Sequence, residues 1–143
     1  MIKAYHHTAI SVTDLERSIR FYCDLLGMKM EWRIDHKKGE TYEKIVGLSN
    51  VDVSFAMLSG WGGRIEIFQF HSPLGAPYPP DKPVSDKGIT HLAFQVEEIG
   101  PLHEKLASNG VRFNAPPLAV RPGVRAAYFR DPDGITIEIV EYS

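Results

Sequence analysis

Several features that would narrow the class of this protein are scarce or missing. Cys23 is the single cysteine, which excludes an internal disulfide and favours a reducing compartment. No apolar stretch approaches the roughly 20 residues that a membrane-spanning helix needs. The net charge is −2 and no basic run occurs, so neither nucleic acid nor an anionic membrane is an expected partner. Residues 1–7 lack the apolar segment of a signal peptide, and we therefore expect a cytoplasmic protein.

The chain does contain an internal repeat. The tripeptide Ile-Glu-Ile occurs at residues 65–67 and again at 137–139, and the segment that begins at His7 matches the one that begins at His91. Each half therefore runs from a histidine to a later glutamate, and the interval is twelve residues longer in the first half. An insertion within residues 37–50 accounts for this difference. Such repeats indicate a duplicated structural unit.

Hydrophobic periodicity predicts the order β-α-β-β-β in each half, and thus an α+β fold. We expect one domain over residues 1–143, with module one at 4–70, a proline-rich linker at 71–88 and module two at 89–142. Asp14 is a predicted helix N-cap, and Gly27 and Gly110 follow the predicted first and second helices. The predicted strands cover residues 4–12, 28–34, 51–58 and 64–70, then 89–96, 124–129 and 135–142, with another starting at 111–113. A short helix is expected at 41–46.

The repeated polar residues are candidates for a metal site. A single mid-strand glutamate or histidine is usually a solvated or structural residue. Two histidines and two glutamates in twofold repeat indicate one divalent metal ion, and these donors suit Zn, Ni, Co, Mn or Fe(II). The candidate ligands are His7, Glu66, His91 and Glu138.

The remaining histidines lack a counterpart in the repeat. Strand alternation predicts that His6 lies on the opposite face from His7. We interpret His71 and His103 as surface residues. The arginines that could bind an anionic group of a substrate, although a solvated or structural role is the default for each, are Arg121, Arg125 and Arg130.

Three motifs in order resemble the vicinal oxygen chelate superfamily, which includes glyoxalase I, methylmalonyl-CoA epimerase, extradiol dioxygenases, and fosfomycin- and bleomycin-resistance proteins. The first is His-x-x-Ile-x-Val-x-Asp-Leu from His7, with Phe-Tyr and Leu-Gly after it. The second is Gly-Ile-x-His-x-Ala-Phe-x-Val at 88–96. The third is Tyr-Phe-x-Asp-Pro-x-Gly-x-x-x-Glu at 128–138. The resemblance implies that the two modules pair in an open, incomplete barrel around one divalent metal, with His7, Glu66, His91 and Glu138 at the ligand positions.

The resemblance also implies a reaction. In glyoxalase I and the epimerase, a metal polarises a carbonyl or enolate oxygen and a glutamate moves the proton. Glu138, and next Glu66, would be the catalytic residues of a lyase or isomerase acting on a small carbonyl compound. The stretch from Glu66 to Val96 looks more like the epimerase, but Glu66 stands where the epimerase usually has Gln and glyoxalase I has Glu. Many relatives pair two chains, so we expect a homodimer.

Two other functions are alternatives. An extradiol dioxygenase would use Fe(II) held by two histidines and one carboxylate. Tyr128 matches the C-terminal tyrosine of that family, but residues 117–127 contain no matching histidine, and Glu66 would be a surplus carboxylate. A non-catalytic antibiotic-binding module is the second alternative. Such modules generally lack the complete set of His and Glu ligands that this chain has.

Overall fold

The computed structural model describes residues 1–143 and separates into two compact units, Met1–Pro77 and Tyr78–Ser143. The boundary falls within the proline-rich segment. Each unit contains a four-stranded mixed sheet and at least one helix, so the predicted α+β class is confirmed. None of the helices combines the length and apolar character that a bilayer span requires.

The elements of both units follow the predicted order. In the first unit they are β1 (Thr8–Ser11), α1 (Leu15–Ile19), β2 (Lys29–Lys37), α2 (Glu40–Val46), β3 (Asp52–Gly60) and β4 (Gly63–Ser72). In the second unit they are β5 (Leu92–Gln95), α3 (Ile99–Ser108), β6 (Leu118–Arg121), β7 (Val124–Arg130) and β8 (Thr136–Tyr142).

The two sheets share one topology. Their strand orders are β1-β4-β3-β2 and β5-β8-β7-β6, and in each the first strand runs parallel to the last while the other pairs are antiparallel. The β-α-β-β-β unit therefore occurs twice. The repeat seen in the sequence corresponds to a repeat of structure.

A strand side chain caps the helix of each module in the same way. Gln69 Oε1 of β4 accepts a hydrogen bond from the backbone N–H of Leu15, at 2.9 Å. Glu141 Oε1 of β8 accepts one from the N–H of Ile99, at 3.0 Å. Each bond satisfies a backbone donor that the first turn of a helix leaves unpaired. It also ties the helix to the sheet that carries the candidate glutamate.

The helix cores follow the predicted periodicity. Leu15 and Tyr22 are fully buried in module one, and Leu106 is fully buried in module two. Asp14 caps α1 as predicted, since its carboxylate accepts a hydrogen bond from Arg17 N–H at 3.0 Å. Gly27 and Gly110 have φ of 96° and 82°, the left-handed conformation expected after a helix.

Several predicted boundaries were wrong. The first helix does not continue as an α-helix to Gly27, because residues Arg20–Leu25 form a π-helical segment. The strand predicted from residue 4 begins only at Thr8. The segment at 111–113 forms a single bridge, Phe113 to Phe129, and β6 lies further along at Leu118–Arg121. The short helix predicted in the insertion is present as α2.

Candidate active site

Each module brings one candidate histidine to one candidate glutamate. In module one, His7 Nε2 lies 3.1 Å from Glu66 Oε2. In module two, His91 Nε2 lies 3.1 Å from Glu138 Oε2. All four side chains are partly exposed, by 31% and 12% in the first pair and by 26% and 20% in the second. They are therefore packed enough to hold a geometry and open enough to meet a ligand.

Strand register explains why the pairs form. In the parallel β1–β4 pair, Ala9 lies beside Glu66, and in the parallel β5–β8 pair, Ala93 lies beside Glu138. Each histidine precedes its alanine by two positions, and residues two apart along extended chain lie on one face. The isoleucines that flank each glutamate are buried on the other face.

The residue before each histidine holds the imidazole from its other side. Thr90 Oγ1 lies 2.8 Å from His91 Nδ1, and His6 Nδ1 lies 2.6 Å from His7 Nδ1. Nε2 is therefore the nitrogen that faces the glutamate in both modules. His6 is exposed and precedes β1, which begins at Thr8, so its position on the opposite face from His7 stays a prediction.

Aromatic side chains cover the Glu66 face of module one. Phe68 shares this face with Glu66 and stacks on Phe55, with ring centroids 5.0 Å apart. Tyr42 of α2 also stacks on Phe55, with ring centroids 6.0 Å apart. Burial, and then the negative charge of Glu66, raises the pKa of Tyr42. The insertion in the first half thus supplies an aromatic helix residue to the face that carries the candidate ligand.

Module two places a tyrosine beside its pair. Tyr128 is directly opposite Glu138 in the β7–β8 register, and its ring centroid lies 5.0 Å from that of His91. Burial, and then the charge of Glu138, raises the pKa of the Tyr128 phenol. The phenol therefore stays protonated at neutral pH and can act as a hydrogen-bond donor.

The donor atoms of each pair fit a metal ion. Zinc-type ions bind imidazole nitrogen and carboxylate oxygen at about 2.0–2.2 Å, so two such ligands of one ion lie roughly 3 Å apart. The 3.1 Å separations agree with that spacing. A contact from a neighbouring group to the second ring nitrogen, as at Thr90 and His6, is typical of metal-bound histidine.

Other polar residues have structural contacts. Arg125 Nη2 lies 2.6 Å from Glu141 Oε2, and Arg130 donates to the carbonyl oxygens of Gly134 and Lys82. Burial, and then the charge of Asp24, raises the pKa of the Cys23 thiol. A thiol with a raised pKa is a poor nucleophile at neutral pH.

The interpretation of His71 and His103 as surface residues was wrong. His71 is half-buried and its Nε2 lies 2.9 Å from Ser54 Oγ. His103 is also half-buried, and its ring packs edge-on against Phe113 with centroids 4.5 Å apart.

Comparison with known proteins shows the family of the chain. The family model described as Glyoxalase/Bleomycin resistance protein/Dioxygenase superfamily matches residues 4–139. The chain belongs to this superfamily. The resemblance inferred from the three motifs is confirmed.

Similar proteins cover nearly the whole chain. The uncharacterized protein YaeR of Escherichia coli is 30% identical, over 98% of this chain and 97% of its own. A probable lactoylglutathione lyase of Synechocystis is 29% identical, over 96% and 94%. The crystal structure of a glyoxalase family protein from Bacillus cereus superposes with a TM-score of 0.90 at 26% identity, over 99% and 95%.

Proposed function

We propose that this protein is a divalent-metal-dependent lyase or isomerase that moves a proton on a small carbonyl compound. The observation that carries the proposal is the repeated contact of 3.1 Å between a histidine Nε2 and a glutamate Oε2, once in each module. In the proposal His7, Glu66, His91 and Glu138 together hold one metal ion. When bound, such an ion supplies Lewis-acid polarisation of a carbonyl or enolate oxygen.

The protein side chains have distinct proposed roles. Glu138 accepts the proton from the carbon next to the carbonyl and returns it, because a positioned carboxylate is an effective general base. Glu66 is the second candidate for this role. Tyr128, with a phenol that stays protonated, donates a hydrogen bond to a substrate oxygen that gains negative charge.

The face of module one suggests the shape of the substrate. Phe68 and Tyr42 are partly exposed beside Glu66, and both rings stack on the buried ring of Phe55. We infer that the non-reacting part of the substrate packs on these rings. The name of the Synechocystis relative supports a thioester-forming lyase as the first activity to test. The lone, partly buried Cys23 suits a cytoplasmic location.

Two measurements test the proposal. Untagged protein is first stripped with a chelator and titrated with Zn²⁺, Ni²⁺, Co²⁺, Mn²⁺ and Fe²⁺. Each loaded form is then incubated in D₂O with a panel of small carbonyl compounds, including the adduct of methylglyoxal with glutathione. Metal-dependent deuterium incorporation or product formation is the expected result.

The alternatives give different readings in the same experiment. Oxygen consumption with a catechol and Fe²⁺, without proton exchange, would replace the proposal by ring-cleaving dioxygenation. Ligand binding without any metal dependence or turnover would replace it by a binding module.

A further inference from the structure

A second cluster of metal-ligating side chains lies in module one. His36, Asp52 and His71 stand near the ends of β2, β3 and β4, and one donor atom from each lies within 4.8 Å of the other two. The rings of His36 and His71 stack with centroids 4.5 Å apart and an angle of 20°. His36 Nδ1 lies 2.8 Å from Asp52 Oδ1.

This cluster is separate from the His7–Glu66 pair. His71 lies on the face of β4 that is opposite to Glu66, because it contacts Ser54, which is directly beside Gln69 in the β3–β4 register, and Gln69 and Glu66 are three positions apart. The five residue steps of strand from Glu66 to His71 span about 16 Å. Gln69, two positions before His71, contacts the N-terminus of α1, which identifies this as the helix-covered face.

A serine joins the two histidine segments. Ser54 Oγ accepts a hydrogen bond from the backbone N–H of His36 at 3.1 Å and contacts His71 Nε2 at 2.9 Å. His36 itself has φ of 51°, at an irregularity of β2 between Ile34 and Lys37. The His36 ring at this irregularity contacts Asp52.

We propose that His36, Asp52 and His71 form a second binding site, for Zn²⁺ or a similar divalent transition metal. Two imidazoles and one carboxylate suit such ions, whereas Mg²⁺ and Ca²⁺ prefer all-oxygen ligands. Ligands of one tetrahedral Zn²⁺ ion lie about 3.3 Å apart, since each is about 2.0–2.1 Å from the ion. The His36 side chain is 62% exposed, so it can rotate to close the cluster to that spacing.

A bound ion would connect three neighbouring strand ends. It would leave a fourth position open to water, because only three protein ligands are present. Lys38 Nζ lies 3.1 Å from Asp52 Oδ2 and competes with a cation for this carboxylate. The site is therefore expected to bind more weakly than one without an ammonium group, and Lys38→Met is expected to tighten it.

The test removes the first centre and measures the second alone. The untagged variant His7→Gln/His91→Gln is stripped of metal and titrated with Zn²⁺ by calorimetry. We expect one Zn²⁺ per chain, and a rise in Tm when Zn²⁺ is added. Adding His36→Gln or Asp52→Asn removes a proposed ligand. The Zn²⁺ affinity should fall by at least about 10- to 100-fold, which is the typical cost of losing a residue that only supports a ligand. His103→Gln, which alters a histidine outside the cluster, should leave the affinity unchanged.

A second comparison uses the intact first centre. Zinc content should fall by one ion per chain from wild type to His36→Gln, with turnover unchanged. Absence of binding in the His7→Gln/His91→Gln background, or binding that His36→Gln does not weaken, would overturn the proposal. Either result leaves the proposed proton-transfer activity untouched, since that activity is measured separately.

Discussion

Tyr128 lies directly opposite Glu138 across β7 and β8. Its ring also packs on the His91 ring, so Tyr128 is next to both residues of the His91–Glu138 pair. Tyr128→Phe removes the hydroxyl and keeps this packing. We expect the fold to be retained and turnover to fall by about 10- to 150-fold, the size of one hydrogen bond to a charged group.

The pH profile gives the matching control for Tyr128. Because its pKa is raised above the ordinary value of about 10, the phenol does not titrate between about pH 6 and 9. The shape of the wild-type profile over that range should therefore persist in Tyr128→Phe. Tyr142→Phe, at the exposed end of β8, should change neither rate nor profile. A shifted alkaline limb in Tyr128→Phe would contradict this assignment.

Glu138→Gln should abolish proton transfer while the protein stays folded. The amide keeps the size of the side chain but cannot act as a base at neutral pH. Loss of a general base costs on the order of 10²- to 10⁴-fold in rate, and weaker metal binding would add to it. Solvent-deuterium exchange and metal content are measured together, with Glu66→Gln as the matched variant. Retained exchange in Glu138→Gln, with loss in Glu66→Gln, would assign the base to Glu66.

Thr90→Val should weaken metal binding without touching a ligand. Thr90 Oγ1 contacts His91 Nδ1 and orients the ring, and loss of such a partner typically costs about 10- to 100-fold in metal affinity. Thr90→Ser keeps the hydroxyl and should restore most of the affinity. Calorimetric titration of both variants checks this. Equal affinities for Val and Ser would show that the hydroxyl does not orient His91.

Glu141→Ala should lower the Tm, because it leaves the Ile99 N–H without its acceptor. The bond from Ile99, and then the one from Arg125, lowers the pKa of Glu141. A lowered folded pKa means that the stabilisation is present above the unfolded value of about 4.3 and is lost as pH falls through the folded pKa. The Tm difference from wild type should thus shrink below about pH 4 in calorimetry.

Glu141→Gln separates the cap from the charge. Gln69 performs the same capping in module one with an amide, so Gln at position 141 can accept the Ile99 bond. This variant should retain more of the Tm than Glu141→Ala and should lose the acid dependence. A Tm gap for Glu141→Ala that stays constant down to pH 3 would rule out the carboxylate as its source.

The protein should form a homodimer. Edge strands β2 and β6 expose apolar side chains, with Ile34 exposed by 42%, Leu118 by 60% and Val120 by 64%. Uncovered sheet edges of this kind favour pairing with a second copy. Sedimentation should show a dimer that Ile34→Lys or Leu118→Lys weakens. Leu74→Lys, in the linker, should not. A monomer at high concentration would contradict the prediction.

The repeat in the sequence was sufficient to predict two β-α-β-β-β units and to identify His7, Glu66, His91 and Glu138 as the repeated polar residues. The physical reason is that strand alternation and parallel register are regular. In each module an alanine lies beside the glutamate, and the histidine is two positions before that alanine. The histidine and the glutamate therefore share one face of the sheet. The isoleucines on both sides of each glutamate are buried, so the alternation of apolar residues in the sequence was sufficient to predict which face of the strand is buried and which carries the glutamate.

Only the tertiary structure decided features that depend on irregular backbone or on three strands at once. His36, Asp52 and His71 have no common spacing in the sequence, and His36 lies at a strand irregularity that periodicity does not predict. The contact of His6 with His7 depends on where β1 begins, which alternation does not specify. The stacking of Tyr42 on Phe55 follows from how the α2 insertion folds back over the sheet, because side-chain packing selects that position and local sequence does not.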